Sequence, residues 1–415
     1  MADLSAAHER RLLWLLALTQ FTVIMDFMVM MPLGPQIMHA FQISPARFAT
    51  AVSVYSWCSG LSGLLAATYI DRFDRRSLLL WVYAWFALSN LACALAPGYG
   101  WLLMARAFAG FSGGVMGAIV MAIVSDVIPL TRRGTATGIV MTSFSLAAVL
   151  GVPVGVLLGA HFSWAAPFLL LVLLSSLIWA GGLALVPSLA EHLRAGPAPL
   201  SRVLPQLWLL LTRKPHLKAF LLTFWMLVAH MLVIPFISPT LVANHGVTAP
   251  QLSLMYMLGG GATFFTARRF GKLTDRLGAK RTFRLLWLVS LLPVLMITHL
   301  PDVSFYLFLP VFPFFMVMVS GRMIPMQTLM TTVTDKTDRG AFLSANSAIQ
   351  SLGSGCGAWI GGLMLSSGAQ GQILGYGQVG WLAVALALFG MWWVGRVPSQ
   401  PPVRSTQPEA LPAEA

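Results

Sequence analysis

The sequence predicts an all-α integral membrane protein: twelve transmembrane helices in two pseudo-symmetric six-helix bundles. Three observations predict it. The 415-residue chain is 57% hydrophobic and only 9% charged, where a soluble domain carries about 25% charged residues. Its apolar residues fall into six long blocks separated by basic clusters. Short charge signatures in the first half recur in the second at nearly one offset. The composition alone excludes a soluble enzyme, a secreted disulfide scaffold and a disordered chain.

The blocks cover residues 12–70, 77–125, 134–190, 219–267, 285–334 and 340–395. One membrane helix needs about 20 apolar residues, so each block fits two helices and a tight turn. Turn signals rich in Gly, Pro, Asn and Ser stand inside the blocks at 42–45, 97–100, 161–164, 244–250, 300–302 and 366–378. The apolar run from Leu12 is too long for a cleavable signal and ends in no small-residue cleavage site. Cys58, Cys93 and Cys356 lie in apolar stretches with no metal or disulfide spacing, and read as small buried hydrophobes.

Charge placement sets the topology. Lys and Arg number 26 against 13 Asp and Glu, a net charge of +13. Of the basic residues, 23 lie in the two tails and the five segments between blocks. Cytoplasmic loops carry the Lys/Arg excess, so both termini and all inter-block loops are expected on the cytoplasmic side of the inner (plasma) membrane. A nucleic-acid partner needs a basic face on a folded domain, and no segment is long enough to build one. The Pro-rich, basic stretch 191–217 reads as a linker along the membrane surface. It separates an N-terminal bundle, 1–190, from a C-terminal bundle, 218–397. The polar, Pro-rich tail 398–415 is expected to be disordered.

Only five charged residues fall inside the blocks: Asp26, Arg47, Arg106, Asp302 and Arg322. Arg47 and Asp302 adjoin turns, which leaves Asp26, Arg106 and Arg322 within helices. Asp26 is the one acid deep in any predicted helix, roughly 21 Å from the cytoplasmic end at 1.5 Å per residue. An ionised carboxylate there is expensive and functional by default. A carboxyl that is neutral when shielded and ionised when wetted can carry a proton. Counting residues leaves Arg106 at a somewhat different depth from Asp26. Arg106 would tune Asp26 or bind an anionic part of a substrate. Arg322 is a weaker candidate of the same kind.

Further cavity candidates are polar or aromatic residues in mid-helix. Gln20, Tyr55, Trp57 and Asn90 lie in the first half, and His230, Tyr256, Asn346 and Gln350 in the second. Each alone is more often a packing residue than a ligand contact.

The repeat is visible in the loops. Asp71-Arg72 between predicted helices 2 and 3 recurs as Asp275-Arg276 between helices 8 and 9, 204 residues on. Asp126, followed by Arg132-Arg133-Gly134, recurs as Asp335, followed by Asp338-Arg339-Gly340, 209 residues on. Two signatures at nearly one offset mean two repeats, and six-helix halves with a site between them are a transporter architecture. Asp71, Arg72, Arg75, Arg76 and Asp126, with Asp275, Arg276 and Lys280, are candidates for a cytoplasmic gate. Ion pairs among them would form on closure and break on opening. Topology accounts for the cations but poorly for the recurring acids, which contribute little to orientation.

These residues carry a resemblance. The pattern Gly271-Lys-Leu-Thr-Asp275-Arg276-Leu-Gly278-Ala-Lys280-Arg281 is similar to the repeated loop motif of the major facilitator superfamily. The first-half copy departs from it, with Ala67 and Asp74 where the family has Gly. Predicted helix 5, with Gly151, Pro153, Gly155 and Gly159, resembles the signature of that family's proton-coupled exporters, in the form seen in arabinose-efflux-permease-like members. Arg106-x-x-x-Gly110 in helix 4 is similar to the Arg motif of its drug:proton antiporters. The resemblance implies a monomeric transporter working by alternating access, with no cofactor, whose partners are protons, a small-molecule substrate and the lipid bilayer. It favours proton-coupled efflux of a small, largely apolar, drug-like or sugar-like compound, with the helix-5 glycines sealing the two halves against proton leak. The alternatives are a proton/solute symporter or facilitator for nutrient uptake, or a lipid flippase. No Walker-type loop points to ATP and no catalytic motif to an enzyme. An intramembrane protease would need a second deep acid or a Ser/His pair.

Overall fold

The computed structural model describes residues 5–129, 132–190, 193, 200–335, 338–369 and 371–398. In the first half, helices α1 (Ala6–Val29) and α2 (Gly34–Phe41) form one broken rod. Then come α3 (Pro45–Tyr69), α4 (Arg75–Ala94) and α5 (Tyr99–Val127). A rod follows of α6 (Arg133–Leu146), a π-helical turn (Ala147–Gly151) and α7 (Val152–His161), and α8 (Ala166–Leu185) closes the half. Next stands α9 (Leu200–Thr212). The second half has α10 (Lys214–Val233), continued through a short turn into α11 (Ile237–His245), then α12 (Ala249–Leu277) and α13 (Ala279–Thr298). It ends with α14 (Phe305–Phe308), α15 (Val311–Thr331), α16 (Arg339–Leu363) and α17 (Tyr376–Trp393). One two-residue antiparallel pair, β1 (Ser366–Ser367) with β2 (Ile373–Leu374), ties the α16–α17 connection.

The helix starts follow local rules. Ser5 and Ser44 cap α1 and α3 through their side chains, and Thr248 with Gln251 forms a capping box on α12. Asp74 caps α4: its Oδ2 accepts from the Ser77 amide at 3.2 Å, and its Oδ1 from the Leu189 amide at 2.7 Å. The departure from Gly at this position is therefore a helix cap that also binds the end of the first half.

Ten of the described helical rods are long and apolar enough to cross a membrane. The two remaining long helices, α12 with 29 residues and α16 with 25, match predicted helices by position. They are too polar to meet the same measure. In α16 the polar residues are Ser344, Asn346, Ser347, Gln350, Ser351 and Ser354. In α12 they include Gln251, Ser253, Thr263 and Thr266, with three glycines at 259–261. The helix also corrects the sequence reading: it runs on to Leu277, so Arg268, Arg269 and Lys272 lie inside it and not in a loop after residue 267.

Part of the predicted linker is also helical. In α9, Leu207, Leu210 and Leu211 pack on the second half, while Leu204, Trp208 and Leu209 are exposed. Glu191, Arg194, Pro197 and Pro199 of the linker, and the tail 399–415, lie outside the described residues.

The buried core divides unevenly along the long axis. At the end away from the basic loops, one cluster joins both halves, with Met25, Val29 and Phe48 beside Phe236, Tyr256 and Phe312. At the basic end each half has its own cluster, around Leu16, Tyr83 and Ile119 in one and around Phe283, Trp287 and Phe342 in the other. Leu64 of α3 packs against the second of these. The halves thus share one core at one end, while at the other each has its own, bridged by Leu64.

Two seams join the halves. Along α3 and α16, small residues permit close approach: Gly60 meets the Ala348 carbonyl and Leu352, Gly355 meets Trp57, and Gly362 meets Ala49. Along α12, Gly260 meets the Ala148 carbonyl of the π-turn. The Ser253 hydroxyl donates to the Pro153 carbonyl at 3.3 Å.

Candidate functional site

The first half holds a buried ion pair. Arg106 Nη1 on α5 donates to Asp26 Oδ1 on α1 at 2.6 Å, and neither side chain has any exposure. Residue counting along the sequence sets the two at different depths. The structure corrects this, because α1 breaks after Val29 and continues as α2, while α5 begins at Tyr99 and places Arg106 two turns inside.

The guanidinium lies between two rings, with Tyr55 of α3 at 4.3 Å and Phe168 of α8 at 6.0 Å from the ring centroids. Phe27 stacks on Tyr55 at 5.6 Å. Rings on a desolvated cation are worth on the order of 2 kcal/mol. Gly110 explains how Tyr55 comes so close. A Cβ there would run into the Tyr55 carbonyl, and one at Gly114 into the Ser59 carbonyl. The Arg106-x-x-x-Gly110 spacing therefore puts the cation one turn from the gap that admits its cover.

The pair is incompletely bonded. Asp26 Oδ2, Arg106 Nε and Arg106 Nη2 make no hydrogen bond among the described residues. The Tyr55 hydroxyl donates to the Val23 carbonyl at 3.5 Å. Cys93 of α4 is fully buried and lies within the charge field of the pair. In the sequence it reads only as a hydrophobe, since nothing in its spacing marks its neighbours. Asn90, one turn before it, donates to the Phe86 carbonyl at 3.0 Å and leaves Oδ1 unpartnered.

The other cavity candidates do not gather into this site. In the second half, Arg322 of α15 donates to the Ser290 hydroxyl at 2.8 Å and lies 5.4 Å from the Trp287 ring centroid. It also lies within electrostatic reach of His230 on α10. Asn346 accepts from the Thr223 hydroxyl at 2.8 Å. The Tyr256 and Ser238 hydroxyls hydrogen-bond to each other at 3.0 Å. Gln20 keeps a buried, unpartnered Oε1, and Gln350 is half-buried on α16. Trp57 meets Trp359 edge-on at 6.1 Å across the α3–α16 seam.

The helix-5 residues divide their contacts. A Cβ at Gly151, Gly155 or Gly159 would meet Met25, Val29, or Leu33 and Gln36 respectively. All of these belong to the α1–α2 rod, so the glycines pack within the first half and not between halves. The contact with the second half is made by Ala148 and by the Pro153 carbonyl.

The gate candidates likewise pair within one half. Arg75 donates to Asp71 at 2.5 Å, to Asp126 at 3.3 Å and to the Ile70 carbonyl at 2.7 Å. Arg76 donates to the Leu183 carbonyl at 2.6 Å. Arg72 is exposed, as are Asp275 and Arg276, and Lys280 is half-buried. No ion pair among the described residues joins the two sets across the basic end.

Known proteins place this architecture. The chain is 23% identical over 359 residues to a probable sugar efflux transporter of Helicobacter pylori (strain ATCC 700392 / 26695), covering 86% of this chain and 87% of that protein. It is 23% identical over 378 residues to the uncharacterized MFS-type transporter YbcL of Bacillus subtilis (strain 168), covering 90% and 94%. Among solved structures it is similar to a bacterial homolog of the human lysosomal transporter Spinster in an inward-facing and occupied conformation. That match has a TM-score of 0.78 and 15% identity, over 96% of this chain and 100% of that one. The D-xylose-proton symporter gives a TM-score of 0.75 at 16% identity, over 94% and 98%. The signature of the Major Facilitator Superfamily matches residues 16–321 and again 219–414. With its paired bundles and the buried Asp26–Arg106 pair, the chain belongs to that superfamily of multi-pass membrane transporters, and is a transporter and not an enzyme.

Proposed function

We propose that this transporter exports a small, largely apolar or sugar-like compound in exchange for protons, with Asp26 as the proton carrier and Arg106 as its counter-charge. The observation that carries the reading is the pair itself. A carboxylate and a guanidinium lie fully buried at membrane depth, with three of their polar atoms unbonded. Such a pair is costly to bury and exchanges a proton only when a conformational change wets it.

The seal at one end and the separate cores at the other support alternation between two states. In this reading the basic loops and both termini lie in the cytoplasm, the protein sits in the inner (plasma) membrane, and the jointly packed end faces outward. In this reading the 1–190 and 218–397 bundles rock against each other about the α3–α16 and α12 seams. The resemblance of the helix-5 run to proton-coupled exporters and the efflux role named for the Helicobacter relative both favour efflux. The Arg75 contacts to Asp71 and Asp126 hold the first half's loop in shape, and the second-half set would meet it on closure.

The test uses proteoliposomes with an imposed pH gradient and a counterflow screen over sugars, drugs and lipids. Antiport predicts proton release on substrate addition, and Asp26→Asn is expected to abolish gradient-driven flux while the protein still inserts and folds. Undiminished gradient-driven flux in that variant would overturn the assignment. Substrate accumulation in the direction of proton entry would favour symport.

A further inference from the structure

The second half buries a cation with no acid to meet it. Arg322 is 3% exposed, midway along α15. Residues 214–398 contain four acids, Asp275, Asp302, Asp335 and Asp338, and each lies at a helix end or in a connection. Among the described residues Arg322 therefore has one neutral hydrogen bond, to Ser290, and the face of Trp287. Its Nε makes no hydrogen bond, nor do His230 Nε2 and Trp287 Nε1. Among the described residues these three buried nitrogens lack partners, and those of Arg322 and Trp287 lie side by side. Two of them, on Arg322 and Trp287, can only donate.

The internal repeat sharpens the contrast. The offset of 204 residues that relates Asp71 to Asp275 also carries Asp26 onto His230 and Tyr83 onto Trp287. Where the first half carries the carboxylate of its pair, the second carries an imidazole. The arginine itself is displaced: the 209-residue offset of the Asp126 signature would carry Arg106 to position 315, seven residues before Arg322. Arg322 therefore sits about two helical turns nearer the basic end. Both sets are buried: Asp26 and Arg106 have no exposure, and His230 and Arg322 keep 4% and 3%.

A buried, unpaired guanidinium is expensive unless an anion meets it, and guanidinium forks match carboxylate and phosphate-like groups. We propose that Arg322, beside Trp287 and Ser290, holds the anionic group of the transported compound. The substrate is then an organic anion, a carboxylate or sulfonate on an apolar or sugar-like body. This rests on the transport reading above and names its substrate class. The first half moves the proton and the second reads the substrate's charge.

The test is binding to the full chain in neutral-lipid nanodiscs, without a gradient, by equilibrium dialysis and thermal melting. The probes are glucuronate beside glucose and 2-naphthalenesulfonate beside 2-naphthol. At least one anion is expected to bind at least tenfold tighter than its neutral counterpart. Arg322→Gln should remove that preference, while Arg322→Lys, which keeps the charge but loses the fork, should retain part of it. If Arg322→Gln does not fold, the anion preference in the native chain and its partial loss in Arg322→Lys decide the matter. Equal binding of anion and neutral partner, no binding by either anion, or an unchanged preference in the Arg322 variants would overturn the inference. Anion preference without gradient-driven flux would instead overturn antiport and leave the anion site standing.

Discussion

Arg106 and Asp26 stand 80 residues apart in the chain, yet their side chains meet at 2.6 Å in a space closed to solvent. Removing one member leaves the other charge buried and alone, which costs about 3–5 kcal/mol, whereas replacing both by neutral groups is far cheaper. Arg106→Gln is therefore expected to lower the melting temperature strongly. Asp26→Asn combined with Arg106→Gln should recover most of the loss. Thermal unfolding of the four proteins in detergent gives the coupling energy directly. Additive effects would show that the pair contributes nothing as a pair.

The cover over that pair depends on a glycine. Gly110 has the Tyr55 backbone where a Cβ would go, while Gly117, two turns on along α5, has nothing within 4 Å. Gly110→Ala should destabilise by about 1–3 kcal/mol through overpacking and, by pushing Tyr55 off Arg106, reduce gradient-driven flux. Gly117→Ala should be neutral or stabilising by up to about 1 kcal/mol, since Ala is the better helix former. Equal melting temperatures for the two variants would remove the close crossing from the account of the site.

Much of this fold is legible in the sequence because its signals are local. Apolar run length places the rods, and turn residues such as Pro97 and Gly246 place the breaks. Asp26 and Arg106 stand out because charge is rare in the blocks. What pattern does not carry is convergence. Nothing in the spacing of Tyr55, Cys93 and Phe168 says that three helices bring them to one guanidinium. The extent of α12 is hidden for a different reason. Arg268, Arg269 and Lys272 look like a loop to hydropathy, although their backbone continues the helix to Leu277. Asp74 reads as a broken motif until its carboxylate is seen to cap α4.

Gly155 sets the distance between α7 and α1. A Cβ on it would overlap Val29, which lies one turn beyond Asp26, whereas Gly138 has open space around it. Gly155→Leu should force α1 outward, lowering stability by about 1–3 kcal/mol and slowing or uncoupling transport. Gly138→Ala should leave both unchanged. Flux and proton leak in proteoliposomes, measured beside the melting curve, separate the two effects. Normal flux with Gly155→Leu would count against a role for this helix crossing.

The sealed end supplies the last test. Gly362 of α16 packs directly on Ala49 of α3, with Ala46 and Phe236 around them. A Cβ on Gly362 would overlap that of Ala49, whereas disulfides form when Cβ atoms lie about 3.5–4.5 Å apart, so paired cysteines at 49 and 362 face each other directly and bond once α3 and α16 part by roughly 1.5–2 Å. In a background with Cys58→Ala and Cys356→Ala, and with the buried Cys93 left in place, Ala49→Cys with Gly362→Cys should cross-link under mild oxidant. If alternation requires this end to part, the cross-linked protein should lose counterflow and regain it on reduction, while either single variant keeps it. Thiol titration reports the bond and substrate counterflow the motion. Full counterflow in the cross-linked protein would mean that the α3–α16 seam does not open during transport, and rocking about that seam would have to be abandoned.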